Sequence, residues 1–238
     1  MQPYNHTISF SPKYLIPAIC CLILTSNSFA QETNFQPVSD AELWSSVIIN
    51  KKITSKLNGS FEEQLRLNDN ISSVKNFFSD IGLSYMFNKY IRLATNYRYI
   101  QRRRDDRTYG TRHRFYGDLR FRFKTKPFIF YYRTRLQTQQ SITGSGIIRD
   151  NYSRNSLTLK LDLDKKIAPY IATELYYYLN CQEFNKVRYT LGIDLNLKKR
   201  NDVGIFYRIQ REFNVNNPIH SYIIGINYSY TLKGRIFK

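Results

Sequence analysis

Arginine is the residue type whose number and spacing suggest chemistry in this sequence. Nine arginines lie in three neighbouring segments, and within each segment they are separated by an even number of positions. They are Arg92, Arg98, Arg102, Arg112, Arg114, Arg120, Arg122, Arg133 and Arg135. Alternate side chains of a β-strand point to the same side. A guanidinium stays charged and binds carboxylates and phosphates through a fork of N–H donors. The pattern therefore predicts an arginine wall that faces anions.

Six carboxylates fall on the same face of the predicted strands as the arginines. They are Glu62, Asp80, Asp118, Asp162, Glu174 and Asp194. Because unpaired like charges repel one another, we expect these carboxylates to neutralise part of the wall. Two hypotheses follow. The first is a narrow anion-selective porin for acidic sugars or organic anions. The second, which we favour, is a plugged or barely conducting barrel with a structural or binding role.

A third hypothesis, an outer-membrane lipid hydrolase, concerns the opposite, apolar face. Ser79, Glu63 and His113 are predicted there at a similar height. Ser79 and His113 would lie two strands apart, which is too far for the hydrogen bond that activates a nucleophile. We therefore expect no enzymatic activity. No His or Cys pair has metal-ligand spacing and no glycine-rich phosphate loop follows a strand, so we expect neither metal nor cofactor.

The elements that position these residues are long alternating segments. Apolar and polar residues alternate with period two in about eleven segments of roughly ten to thirteen residues each, between Glu42 and Leu232, whereas soluble strands have about five or six. Roughly ten residues suffice for a tilted strand to cross a bilayer, with apolar side chains outward. The pattern predicts an all-β fold, a single antiparallel up-and-down transmembrane barrel of about 12 strands (range ~10–12). Since bacterial barrels favour even numbers, the segment Asn34–Ala41 is expected to add a strand or to cross the lumen.

The connections and the N-terminus indicate the compartment. Residues Tyr14–Leu24 are a short apolar run, and the small residues Ser28 and Ala30 predict signal-peptide cleavage between Ala30 and Gln31. We therefore divide the chain into a signal peptide (1–30), a short N-terminal segment (31–41) and an outer-membrane barrel (42–238). Short turns alternate with longer connections, including an expected external loop at Thr138–Ser153, and the last strand is expected to end at the periplasm.

The charge of the chain and its export limit the partners. The formal net charge is +18 and the sequence pI is near 9.8, which would also suit nucleic acid. Export from the cytoplasm argues against nucleic acid. The expected location is the outer membrane of a Gram-negative bacterium. The expected partners are outer-membrane lipid and lipopolysaccharide, small anionic solutes, and the barrel-assembly machinery during biogenesis.

Several motifs of the chain resemble a known family. They include ELW at Glu42–Trp44, FEEQLRLNDN at Phe61–Asn70, NYRYIQRR at Asn96–Arg103, RHRFYGDL at Arg112–Leu119, RTRLQ at Arg133–Gln137, FNKVRYTLGID at Phe184–Asp194 and YRIQREFNVNNP at Tyr207–Pro218. In this order they resemble the bacterial outer-membrane barrels of domain-of-unknown-function family 2490. The resemblance implies an outer-membrane barrel without an established activity, and it supplies no catalytic residues.

Overall fold

The structure is a computed structural model that describes residues 37–104, 106–144, 146–163, 166–197 and 200–233. The described residues form eleven β-strands. These are β1 (Val38–Lys52), β2 (Leu57–Asn68), β3 (Ser73–Met86), β4 (Ile91–Arg103), β5 (Tyr109–Thr125), β6 (Phe128–Thr143), β7 (Gly146–Leu161), β8 (Ile167–Tyr178), β9 (Glu183–Asn196), β10 (Asn201–Glu212) and β11 (Ile219–Leu232).

The strands form one closed barrel. Each strand pairs antiparallel with the next, and β1 pairs with β11 to close the sheet. This closing pair is parallel, from Val38 opposite Ile219 to Lys51 opposite Leu232. An up-and-down barrel with an odd number of strands must contain one parallel pair. The all-β barrel is thus confirmed, but the described residues contain eleven strands, which is inside the predicted range and not the even twelve.

The N-terminal segment does not add a twelfth strand to the described residues. Val38–Ala41, which belong to the segment expected to do so, form the beginning of β1. The barrel therefore begins four residues before the predicted boundary at Glu42. The predicted signal peptide and its cleavage site at Ala30 and Gln31 lie outside the described residues, as do residues 32–36 of the N-terminal segment.

The connections differ from the expected alternation of short turns and long loops. At the rim where β1 begins, the Val38 rim, the connections are residues 69–72, 104–108, 144–145, 179–182 and 213–218; at the opposite, Lys52 rim, they are 53–56, 87–90, 126–127, 162–166 and 197–200. The two sets have similar lengths. The expected external loop at Thr138–Ser153 is wrong, because most of these residues belong to strands: β6 continues to Thr143 and β7 begins at Gly146, which pairs with it.

The hairpin of β6 and β7 projects past the paired part of β8, and polar side chains cap its edge. Pairing between β7 and β8 starts only at Tyr152. Beyond it, Asn180 accepts a hydrogen bond from the backbone N–H of Asn151 at 2.8 Å and donates to the carbonyl of Arg149 at 3.0 Å. On the β6 side, Arg104 donates to the carbonyl of Ile142 at 3.0 Å. These contacts satisfy backbone groups that an exposed edge would otherwise offer to another strand.

The outer face of the barrel is an exposed apolar surface. Its side chains include Ile81, Leu136 and Leu191, which are 60%, 62% and 60% exposed. Contiguous apolar exposure around a closed sheet is typical of a transmembrane barrel, in which lipid covers the outward residues. Among the residues that the structure describes, there is no helix long and apolar enough to span a membrane.

The inner face combines a small apolar cluster with many charged side chains. Trp44, Phe206 and Ile223 pack together and are at most 5% exposed. The ring of Phe206 lies over Gly225, where a Cβ atom would overlap it. When the residue pairings are followed from Lys52 around the barrel, they return to β1 near Val38. This offset of roughly fourteen residues corresponds to strands tilted by about 40° from the barrel axis. The registers place Trp44 opposite Arg66 of β2 on one side and, through Gly225 of β11, level with Phe206 of β10 on the other.

Candidate functional site

A cavity of about 660 Å³ occupies the lumen. Thirteen described Lys and Arg side chains line it: Arg66, Lys75, Arg98, Arg102, Arg112, Arg114, Arg120, Arg133, Arg135, Arg154, Lys186, Arg188 and Arg208. Five described carboxylates line it as well: Glu62, Asp80, Asp150, Glu174 and Glu212. Two more, Glu42 and Asp118, are buried in the wall and pair with lining cations. Cations therefore exceed carboxylates by six among the described residues of this site.

The cavity gathers most, but not all, of the arginines predicted to form a wall. Seven of the nine line it: Arg98, Arg102, Arg112, Arg114, Arg120, Arg133 and Arg135. Arg92 and Arg122 are exposed and belong to the strand ends near the Lys52 rim. Their alternation is the same as that of the others, but their position along the strand puts them beyond the cavity.

The six predicted carboxylates separate into three places. Glu62, Asp80 and Glu174 line the cavity, and Asp118 lies fully buried behind it. Asp194 lines a smaller cavity of about 320 Å³, where it accepts a hydrogen bond from Lys160 at 2.6 Å. Asp162 forms an ion pair with Lys124 and follows the end of β7.

Asp118 anchors the first ion-pair group of the wall. Arg135 holds it with two bonds, Nε to Oδ1 at 2.6 Å and a terminal nitrogen to Oδ2 at 2.9 Å. Arg120 donates to the same carboxylate at 2.7 Å. The Arg135 guanidinium also lies 3.8 Å from the centre of the Tyr116 ring, in a cation–π arrangement. Asp118 and Arg135 are both buried, so each of these charges needs the other as its partner.

Glu174 anchors the second group and joins three strands. Arg154 donates to it at 2.8 Å and Arg188 at 3.3 Å, and Arg133 donates to the same carboxylate. These cations come from β7, β9 and β6 respectively. One carboxylate therefore shares its charge among three guanidinium groups, so this group keeps a net positive charge.

Asp80 anchors the third group. Arg98 donates to it through Nε at 2.7 Å, and the hydroxyl of Tyr116 donates to the same carboxylate oxygen at 2.6 Å. Glu62 lies 3.6 Å from Arg98 and provides a second countercharge. Arg98 is therefore the best neutralised arginine of the wall.

Three arginines of the cavity bond only neutral acceptors. Arg66 donates to Gln64 at 2.6 Å, Arg114 donates to Gln139 at 3.2 Å through Nε, and Arg208 donates to Thr190 at 2.9 Å. None of the three forms an ion pair with a carboxylate of the described ranges. We call these three side chains the unpaired cluster.

Two members of the unpaired cluster, together with Arg188, converge on Trp44. The guanidinium carbons of Arg66 and Arg208 lie 3.7 Å and 5.2 Å from the centre of its ring, and that of Arg188 lies 5.4 Å away. Arg98, Arg188 and Arg114 repel Arg66, whereas Glu42 attracts it. Glu42 also accepts a hydrogen bond from the indole N–H of Trp44 at 2.8 Å. Several guanidinium groups with few countercharges therefore share one half-buried space, where they repel one another.

Several residues of this site were not among the predicted wall. Arg66, Arg154, Arg188 and Arg208 line the cavity from β2, β7, β9 and β10. Arg66, Arg188 and Arg208 share the alternation of polar residues in their strands, so the same parity rule could have included them. Lys75 could not have been found in this way, because a register shift between Arg66 and Leu67 turns it inward to Glu42.

The outer face does not bring the hydrolase candidates together. Tyr99 of β4 lies between Ser79 and His113 in the register. The Nδ1 atom of His113 is 2.7 Å from the hydroxyl of Tyr97. Glu63 lies directly across from Ser79, and its Oε2 atom is buried without a hydrogen-bond partner. This row contains no nucleophile–base contact of the kind that covalent catalysis uses.

The described residues show no group of three or more His, Cys, Asp or Glu side chains placed to hold a metal ion.

At the Val38 rim, the hydroxyl and the backbone N–H of Thr108 donate to the carboxylate of Asp106 at 2.6 Å and 2.9 Å. These hydrogen bonds stabilise the carboxylate and lower the pKa of Asp106 below its usual range.

Comparisons with known proteins identify the family of this chain. The family model described as "Protein of unknown function (DUF2490)" matches residues 41–220. A comparison with curated proteins finds none that matches this chain. Among solved structures, the beta domain of the Bordetella autotransporter Brka is similar at 10% sequence identity and a TM-score of 0.46, over 70% of this chain and 78% of that one. Because the family match covers well over half of the 238 residues, this chain belongs to the DUF2490 family of proteins of unknown function.

Proposed function

We propose that this protein is an outer-membrane β-barrel whose lumen binds anions. The observation that carries the proposal is the unpaired cluster, Arg66, Arg114 and Arg208, of which two converge on Trp44. Other arginines of the same cavity form ion pairs with Asp80, Asp118 and Glu174. A wall built only for structural packing would pair its buried charges, since an unpaired buried charge is costly. The excess of cations therefore favours a binding role.

The membrane part of the proposal is supported by the apolar outer face. Exposed aliphatic and aromatic side chains cover the barrel, and outer-membrane lipid and lipopolysaccharide are the partners that would cover them. Lysines such as Lys56, Lys89 and Lys126 lie in the turns of the Lys52 rim, where lipid headgroups would meet them. Insertion by the barrel-assembly machinery and the absence of enzymatic activity are part of the same proposal.

The sole tryptophan of the chain makes the proposal directly testable. Trp44 contacts two members of the unpaired cluster, so an anion bound there should change its fluorescence. Protein folded in detergent would be titrated with pyrophosphate at constant ionic strength. We expect a saturable fluorescence change, and a loss of affinity of about tenfold for Arg66→Gln or Arg208→Gln, which corresponds to about 1.4 kcal/mol.

The matched control removes an arginine that lies outside the cavity. Arg122→Gln removes the same charge near the Lys52 rim and should leave the affinity unchanged. A titration without saturation, or an equal loss for Arg122→Gln and Arg66→Gln, would show that the lumen has no specific anion site. Migration of each variant on unheated gels would establish that the barrel is folded.

Anion passage through the lumen is the second candidate. The two cavities share Ile48 and Asn227 as lining residues, so they are adjacent there and only these side chains need move to join them. The hydroxyl of Ser46 donates to Asn227 at 2.7 Å and holds the junction in place. Planar-bilayer recordings would test this candidate. An anion-biased current that pyrophosphate blocks would support it, and the absence of such a current would leave binding alone.

A further inference from the structure

We infer that the ligand of this lumen is an extended polyanion that enters at the Val38 rim and contacts two separate groups of arginines. The inference rests on the proposed anion-binding function and adds the class of ligand and its direction of entry. A small anion with a single charged group would bind at the unpaired cluster alone, because it could not contact both groups of arginines at once.

The first group lies at the mouth of the cavity. Arg102 and Arg112 both line the cavity at the Val38 end of β4 and β5, where Arg102 is exposed and Arg112 is half-buried. Their registers, Arg102 opposite Gly110 and Arg112 opposite Ile100, make them diagonal neighbours across the two strands. Arg112 is repelled by Arg102, and Asp150 is the carboxylate that attracts it. Neither arginine forms an ion pair within the part of the chain that the structure describes.

The second group is the unpaired cluster deeper in the lumen. Arg114 follows Arg112 by two positions on β5, so their Cα atoms are separated by about 7 Å along the strand. Arg98, which Asp80 and Glu62 neutralise, lies opposite Arg114 and repels both Arg114 and Arg66. Beyond it, Arg66 and Arg208 lie over the Trp44 ring. Arginines without ion pairs thus occur at the mouth, at Arg114 and beside Trp44.

Arginines that form ion pairs lie among the unpaired ones. Asp80 and Glu62 compensate Arg98, while Glu174 is shared among Arg133, Arg154 and Arg188. A charge pattern with successive unpaired guanidinium groups along one direction matches a ligand with successive negative groups. A volume of about 660 Å³ lies within the range of pockets that hold ligands larger than a single oxyanion.

The experiment compares probes that differ only in the number of linked phosphates. Orthophosphate, pyrophosphate and tripolyphosphate would be titrated into the folded full chain at constant ionic strength, with calorimetry and Trp44 fluorescence as readouts. For the unmodified protein we expect affinity to rise by at least about tenfold from orthophosphate to tripolyphosphate. Arg112→Gln should remove most of this gain and leave orthophosphate affinity within about twofold. Arg66→Gln should weaken all three probes.

The control is Arg92→Gln, because Arg92 lies on β4 but outside the cavity. It removes the same charge and should leave the gain with chain length intact. Equal affinity for the three probes, or a loss of the gain in Arg92→Gln as large as in Arg112→Gln, would overturn the polyanion inference while leaving anion binding in place. Absence of saturable binding for every probe would overturn the proposed function itself.

Discussion

Replacement of Asp118 by Asn tests whether the wall depends on its buried ion pairs. Asp118 is completely buried, and its carboxylate takes two bonds from Arg135 and one from Arg120. Asp118→Asn keeps the shape of the side chain and removes its charge. Arg135, which is only 6% exposed, would then remain charged in the wall with no carboxylate in contact.

The size of the effect follows from this geometry. Removing one partner of a buried ion pair costs about 3–5 kcal/mol, because the remaining charge stays buried. The Tyr116 ring still faces the Arg135 guanidinium at 3.8 Å, and the amide oxygen of Asn can accept one hydrogen bond. We therefore expect a loss near the lower end of this range, about 3 kcal/mol in the free energy of unfolding.

The assay is reversible denaturant unfolding in lipid vesicles, followed by Trp44 fluorescence. The matched control is Asp69→Asn, because Asp69 is 60% exposed and lies 3.6 Å from Arg103. An exposed pair contributes about 0–1 kcal/mol, so the control should lose no more than that. The double variant Asp118→Asn with Arg135→Gln should recover part of the loss, since no charge is left buried without its partner. A loss for Asp118→Asn no larger than for the control would refute the reasoning.

Three further predictions concern packing, the outer face and the hairpin. Gly225→Ala should lower the free energy of unfolding by about 1–3 kcal/mol, because the new Cβ overlaps the Phe206 ring; an added Phe206→Leu should restore part of it, and an unchanged midpoint would contradict this packing. Phospholipid vesicles should release fatty acid at the same background rate with His113→Ala as with the unmodified protein. A lower rate with the variant would show that the outer face is catalytic. Asn180→Ala should speed protease cleavage in the β6–β7 hairpin without changing global stability, and equal cleavage would show that the cap is dispensable.

The alternation of apolar and polar residues made the barrel predictable from the sequence, but it did not predict the connections between the strands. Leu157, Leu159 and Leu161 on one face of β7 are enough to predict which side meets lipid, because strand side chains alternate strictly. The residues of Thr138–Ser153 are polar and glycine-containing, and composition alone indicated a loop. In the structure, pairing with β5 and with each other keeps them in strands, since cross-strand hydrogen bonds outweigh weak local preferences.

The sequence by itself determined the β-strand type, the outward apolar face and the inward arginines of β4, β5 and β6. These follow from a period of two, which needs no knowledge of distant residues. Only the tertiary structure decided that β1 closes against β11 in parallel, because closure joins the two ends of the chain. It also decided which arginines are neutralised. Arg135 forms an ion pair with Asp118, whereas Arg66 and Arg208 lie over Trp44 without an ion pair, because barrel closure brings β1, β2 and β10 together.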